Sequence, residues 1–249
     1  MSEQHERATS GDFSESGAEV LRHEARDSSG GAASSTPYEQ EIVAHVEKHV
    51  GPVESVFHEL VSERVHLDLH FVPASEERRF HFVFTSGMSA APMNAPDEQW
   101  RFAEMCVLLP PDWPLDQESW QDEKYYWPLR WLKVLARLPH DYDTWLGLGH
   151  TVPNGDPAQP FAPGTSLCCA MLLPPLELSE PFARMRLQDG NILNFWNLVP
   201  LHLDEMRFKL DKGLGALVQQ FERRGVSDIL NPNRVSALRA NKLAGWFGR

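Results

Sequence analysis

The sequence predicts an α+β fold, a mixed and largely antiparallel sheet packed with helices. Three observations lead there. Residues 65–73, VHLDLHFVP, alternate apolar and polar side chains, and a second strand-like run follows across a short charged loop. Helical spacing marks segments near 38–50, 131–138, 201–210 and 214–221. Strands and helices do not alternate as strict βαβ units, which disfavours an all-parallel sheet.

The elements follow in order. Residues 1–37 are rich in Ser, Gly, Ala and Glu without apolar periodicity, and read as a disordered acidic tail. A helix starts near Pro37, with Ile42, Val43, Val46 and Val50 on one side, and Gly51-Pro52 stops it. Val65, Leu67, Leu69 and Phe71 then form the inner face of a half-buried strand whose polar outer face is His66, Asp68 and His70. Pro73 ends it, and residues 75–79 make a charged hairpin tip before a strand carrying Phe80, Phe82 and Phe84 on one face. A third strand covers Met105–Leu109. Further on, a helix with Pro128 in its first turn and Pro139 just beyond its end presents Trp131, Leu132, Leu135 and Leu138 inward. GLGHTVPNGDPAQPF reads as a long Gly/Pro loop, and SLCCAMLLPP as a strand buried on both faces. Asp189-Gly190 between two apolar runs signals a hairpin. Two helical segments close a domain expected to span 38–240, with 241–249 as a C-terminal tail.

Composition excludes several classes. The 249 residues include 42 % hydrophobic side chains, 8 Trp and 13 Phe, enough for a substantial core. No apolar run approaches the ~20 residues of a membrane span, and no secretory signal opens the chain. Of 3 cysteines, Cys168 and Cys169 are neighbours that a strand would point to opposite faces, so a cytoplasmic, disulfide-free protein is expected. A net charge of −12 argues against a nucleic-acid partner. Between Asp97 and Glu123 the acids Asp97, Glu98, Glu104, Asp112, Asp116, Glu118, Asp122 and Glu123 face a single base, Arg101. Such a segment can steer a basic partner into place.

Three constellations invite a chemical reading. Thr85-Ser86-Gly87-Met88-Ser89 pins a serine between a strand and a glycine turn. It lacks the glycine two residues before the serine that a nucleophile elbow has, and no amphipathic helix follows it. A turn that the fold or a partner needs is the better reading. His66-Leu67-Asp68-Leu69-His70 lines up three metal-competent groups. At ~3.3 Å per residue the histidine Cα atoms lie about 13 Å apart, so one ion cannot take both. His66 with Asp68 could chelate only if His58 or His81 joined from elsewhere, and a hydrogen-bonded polar face is the simpler expectation. Gly147-Leu148-Gly149-His150 and Asn154-Gly155-Asp156 match no phosphate-binding loop and have no lysine nearby. Their fixed-φ residues suit an ordered recognition loop.

Taken together, HLDLHFVP, FTSGMS…PM, the Leu-Leu-Pro-Pro strand end, GLGHTVPNGDP and LVPLHLDEM, running from about Glu39 to about Leu238, resemble the Suppressor-of-fused (SUFU) domain family. The resemblance implies a single α+β domain that binds another protein and is not an enzyme. Animal members grip a peptide segment of a zinc-finger transcription factor and carry an additional C-terminal domain, which this chain is expected to lack. Stand-alone bacterial members resemble immunity proteins of polymorphic toxin systems, and the single-domain layout fits that setting. The expected partner is therefore a basic toxin domain neutralised by contact. A peptide-binding regulator working by strand addition is the alternative, and an enzyme using Ser86 or His66/Asp68 comes last. Candidate partner contacts are His66, Asp68, His70, Ser86, Met88, His150, Asn154 and Asp156; no catalytic, cofactor or metal residue is assigned.

Overall fold

The structure, a computed structural model, describes residues 12–17, 19–20, 37–58 and 65–239. Most of the expected N-terminal tail and all of 241–249 lie outside them. Inside the tail, β1 (Asp12–Phe13) and β2 (Glu19–Val20) pair antiparallel, and the Ser16 N–H donates to the Leu210 carbonyl at 3.0 Å. That hairpin therefore rests on the folded domain.

The domain continues as α1 (Glu39–His49), β3 (Ser55–His58), β4 (Asp68–Val72), β5 (His81–Ser86) and β6 (Phe102–Leu109). Then come α2 (Glu123–Tyr142), β7 (Thr151–Pro153), β8 (Leu167–Leu173), β9 (Arg184–Arg186), β10 (Ile192–His202), α3 (Leu203–Lys212) and α4 (Leu214–Arg224). The main sheet runs β3-β4-β5-β6-β10-β8-β7, with β9 also on β10. Its strand pairs are antiparallel except β6 with β10. This is the mixed, largely antiparallel sheet the sequence predicts. Among the described residues no helix is long and apolar enough to cross a membrane.

Strand alternation divides the core by face. Leu67, Leu69, Phe71, Val83, Met105, Val107 and Leu109 pack with Trp127, Trp131, Leu132 and Leu135 of α2. On the other face Val72, Phe82, Phe84, Cys106, Leu108, Leu193 and Phe195 meet Ile42 and Val46 of α1. Farther along that face Cys169, Met171, Val199 and Leu201 meet Leu217 and Phe221 of α4. The sheet is thus covered on both sides. This corrects the half-buried reading of β4, whose five residues are all buried: Val72 packs with Ile42 and Val46 of α1, Glu39 of α1 approaches His70 to 4.0 Å, and His58 and His66 flank Asp68.

Two helix boundaries also differ from expectation. Asp122 caps α2 by accepting from the Lys124 N–H, so the helix starts five residues before Pro128. Pro139 lies inside it, and the end comes at Asp143, whose φ of 52° is left-handed. The loop after α2 contains β7, an edge strand paired with β8. Gly149 supplies φ +73 where a Cβ would stand 2.7 Å from Leu214 Cδ2. Three free, buried cysteines fit the disulfide-free expectation.

Candidate functional site

The serine turn is built around a carboxylate. The β5–β6 ladder ends at Phe84↔Cys106. Beyond it the Met105 N–H donates to Thr85 Oγ1 at 2.9 Å, and Thr85 Oγ1 donates to Glu104 Oε2 at 2.6 Å. Glu104 Oε1 accepts from the Gly87 N–H at 3.1 Å, the Ser89 N–H at 3.0 Å and Ser89 Oγ at 2.5 Å. Gly87, with φ 111°, turns the backbone so that both amides point at that oxygen. Glu104 is completely buried. Burial pushes its carboxyl up to about 7, although all four donors favour the ionised form. One of the eight acids assigned to a steering surface is therefore an internal brace of the fold.

Ser86 and His70 stand 2.8 Å apart, Oγ to Nε2, which is the spacing of a nucleophile and its base. The surroundings oppose that chemistry. Both residues are buried, at 0 % and 1 % exposure, and His70 Nδ1 has no hydrogen-bond partner that would orient the ring. Burial also holds the His70 imidazole below the usual histidine range. The pair stabilises the interior, with His70 stacked 4.7 Å from Phe84. Ser86→Ala is expected to stay folded while losing about 1–2 kcal/mol in urea denaturation, the cost of leaving a buried imidazole nitrogen unpaired. A loss of stability above about 4 kcal/mol would contradict that modest role.

The remaining candidates separate by depth. Met88 is buried, and its carbonyl is 2.9 Å from His140 Nε2 of α2. Asp68 is 3 % exposed. Asp68, His70, Ser86 and Met88 are thus all buried. His66 is half-buried on the rim, close to Asp68 and His58. His150 packs edge-on against Trp145, with ring centroids 4.4 Å apart. Asn154 Nδ2 donates to the Gln159 and Pro160 carbonyls, both at 2.9 Å, so it holds its own loop. Asp156 is exposed.

The sequence reading did not single out a cleft of about 460 Å³ at the end of β6. Trp113, Pro114, Lys124 and Tyr125 line one side of it, and Pro163, Leu230 and Pro232 belong to the other. Its walls are braced internally. Trp113 Nε1 donates to the Tyr125 carbonyl at 3.2 Å, Trp127 stacks 4.7 Å from Phe161, and Thr165 Oγ1 donates to the Pro232 carbonyl at 2.7 Å. Asp112 lines the cleft, and the chain between the lining positions Pro114 and Lys124 carries Asp116, Glu118, Asp122 and Glu123. The sequence signal was present in residues 112–128, with three Trp, two Tyr and several acids. What it lacked was the 229–233 segment that closes the far wall, more than 100 residues away.

Comparison with known proteins places this architecture. The chain superposes on a SUFU homolog from Neisseria gonorrhoeae with a TM-score of 0.58 at 16 % identity, covering 83 % of this chain and 100 % of the other. It superposes on a chain of the Sufu–Fu complex with a TM-score of 0.59 at 12 % identity, covering 80 % and 91 % respectively. At these identities the likeness shows the fold alone. No curated protein matches by sequence. The family model described as Suppressor of fused protein (SUFU) matches residues 63–235. That match, over most of the chain and on this fold, shows that the chain belongs to the SUFU family.

Proposed function

We propose that the chain is a non-catalytic protein-binding module acting by stoichiometric contact, and that it receives a basic protein segment in the Trp113–Tyr125 cleft. The observation that carries this reading is the cleft itself, aromatic and proline-rich, with Asp112 in its lining and the acid-bearing segment 116–123 joining its lining positions Pro114 and Lys124. Aromatic side chains bury large area at low entropic cost, and prolines already fix the backbone before binding. The acids Asp112 and Glu118 are exposed, so they raise the association rate of a cation-rich partner. Crystallisation of a SUFU-fold relative as a Sufu–Fu complex supports a protein as the ligand class. Among basic proteins, a toxin domain whose active site is covered by this face is the partner we favour, which would make the chain an immunity protein.

A second reading has its own observation. Among the described residues β3 is the outermost strand on its side of the sheet and is mostly exposed, Val56 among its residues, so no described strand takes the place that an added partner strand would pair with.

The test is comparative affinity capture with three versions of the full chain. Asp112→Lys with Glu118→Lys reverses two exposed acids while leaving Asp116, which accepts from Ser119, and the α2 cap Asp122 in place. Glu76→Lys with Glu77→Lys reverses the same charge on an exposed loop outside the cleft lining. A protein retained by the wild type and the loop variant but lost from the Asp112/Glu118 variant supports the cleft. Equal retention by all three overturns it, and loss only from a fourth version, Val56→Pro, would move the interface to the β3 edge.

A further inference from the structure

We propose that His58, His66 and Asp68 form a binding site for a zinc-class divalent cation on the rim of the sheet. In the β3–β4 register His58 stands directly opposite Asp68, and His66 precedes Asp68 by two residues. This brings three ligands of two types from two chain segments to one point. His58 Nδ1 is 3.0 Å and His66 Nε2 is 3.2 Å from the same atom, Asp68 Oδ1, and the three ligand atoms lie within 4.8 Å of one another.

Asp68 supplies an independent observation. Its side chain is only 4 % exposed, and Oδ1 is buried without a well-oriented hydrogen bond although two imidazole nitrogens approach it. A buried carboxylate oxygen needs a compensating charge. An ion between the three groups provides one. With bonds of ~2.0–2.1 Å, tetrahedral coordination separates neighbouring ligand atoms by about 3.3 Å. Two edges of the triangle already match. The third closes by rotation of the His58 and His66 side chains, which are 63 % and 32 % exposed.

Two imidazoles with one carboxylate select zinc and its neighbours over calcium or magnesium, which prefer all-oxygen shells. His70 takes no part. It points to Ser86, which resolves the His-x-Asp-x-His row: the second histidine of the site comes across the strand pair, not along the strand. Three protein ligands leave a fourth position open to water or to a donor from a partner. None of the three residues lines the 460 Å³ cleft, so the ion belongs to the β3 rim and not to the Trp113–Tyr125 cleft.

The experiment titrates ZnCl₂ into metal-stripped full chain by calorimetry, and follows Co²⁺ by its visible absorption. One equivalent is expected to bind, with the visible bands of a four-coordinate Co²⁺ complex. His58→Ala and His66→Ala remove rim imidazoles and should leave thermal unfolding essentially unchanged. Each is expected to weaken zinc binding by a factor of about ten or more. His49→Ala, outside the site, should bind like the wild type. No one-equivalent binding, or binding unchanged in both rim variants, overturns the proposal.

Discussion

Glu104→Ala is expected to destabilise the domain by about 4 kcal/mol or more, one of the two largest effects of any single replacement considered. Two backbone N–H groups and two hydroxyls converge on the carboxylate, and all of them lie in the interior. Truncation removes their shared acceptor, and each buried donor left unpaired costs about 1–3 kcal/mol. Glu104→Gln keeps one acceptor oxygen but turns an amide NH₂ toward donors, so a loss of about 2 kcal/mol is expected.

The pH dependence gives a sharper signature. The folded Glu104 carboxyl is raised to about 7 from 4.5, so between those values the folded chain holds a proton that the unfolded chain has released. Stability from this group is therefore greatest below about pH 4.5, falls by roughly 3 kcal/mol as pH rises through 7, and is level above it. Buried histidines work in the opposite sense. His70 is lowered by burial, so below its unfolded value the unfolded chain binds the extra proton and stability rises with pH. The difference between wild type and Glu104→Gln isolates the carboxyl. Urea denaturation at pH 5 and pH 7.5 should show the wild type losing more stability relative to the variant at the higher pH, and a constant difference would contradict the assignment.

Arg234→Ala is the second large effect, expected at about 3–5 kcal/mol. Glu205, on the first turn of α3, has no exposure and accepts from Arg234 Nη1 at 2.6 Å and Nη2 at 2.5 Å. The same carboxylate accepts from the His202 N–H at 2.9 Å and the Ala237 N–H at 2.8 Å. Arg234 also donates to the Pro200 carbonyl at 2.7 Å and lies over the Phe221 ring. One ion pair thus ties the segment after α4 to the end of β10, to α3 and to α4. Losing the guanidinium strands a buried carboxylate, whereas removing both charges does not. Arg234→Met with Glu205→Gln should be clearly less damaging than the two single losses summed, with a coupling of about 2 kcal/mol in a double-mutant cycle. Additive losses would show that the pair is not acting as a unit. Because Leu230 and Pro232 line the cleft and belong to the same segment, Arg234→Ala should also loosen that wall and speed proteolysis within 226–239.

How much of this was legible depends on the distance over which the information acts. The period-2 pattern of 65–73, the helical spacing of 42–50 and the Asp189-Gly190 turn were readable because their causes are local. The burial of Asp68 and His70 was not, since it depends on His58 of the paired strand beside Asp68 and on Glu39 of α1 and Phe84 beside His70. Glu104 offered a signal in retrospect, a lone acid inside the apolar run Phe102–Leu109, where a solvated acid would not be expected. Asp122 before Glu123 was likewise a cap signature that the nearby Pro128 obscured. The meeting of His58 with Asp68, of Glu205 with Arg234, and of 110–125 with 229–233 requires strand register or chain return that no local pattern encodes.

The central claim is that this SUFU-family chain acts by binding a protein in the Trp113–Tyr125 cleft. The most direct measurement places a photoreactive phenylalanine analogue at Tyr125 in cells that produce the chain, with a second variant at exposed Glu222 on α4 as reference. Irradiation and mass spectrometry then identify what each position touches. The account predicts a defined cross-link from position 125 to a basic segment of one protein, absent from position 222 and lost with the Asp112→Lys and Glu118→Lys replacements. Cross-links to that protein from 222 and none from 125 would contradict it.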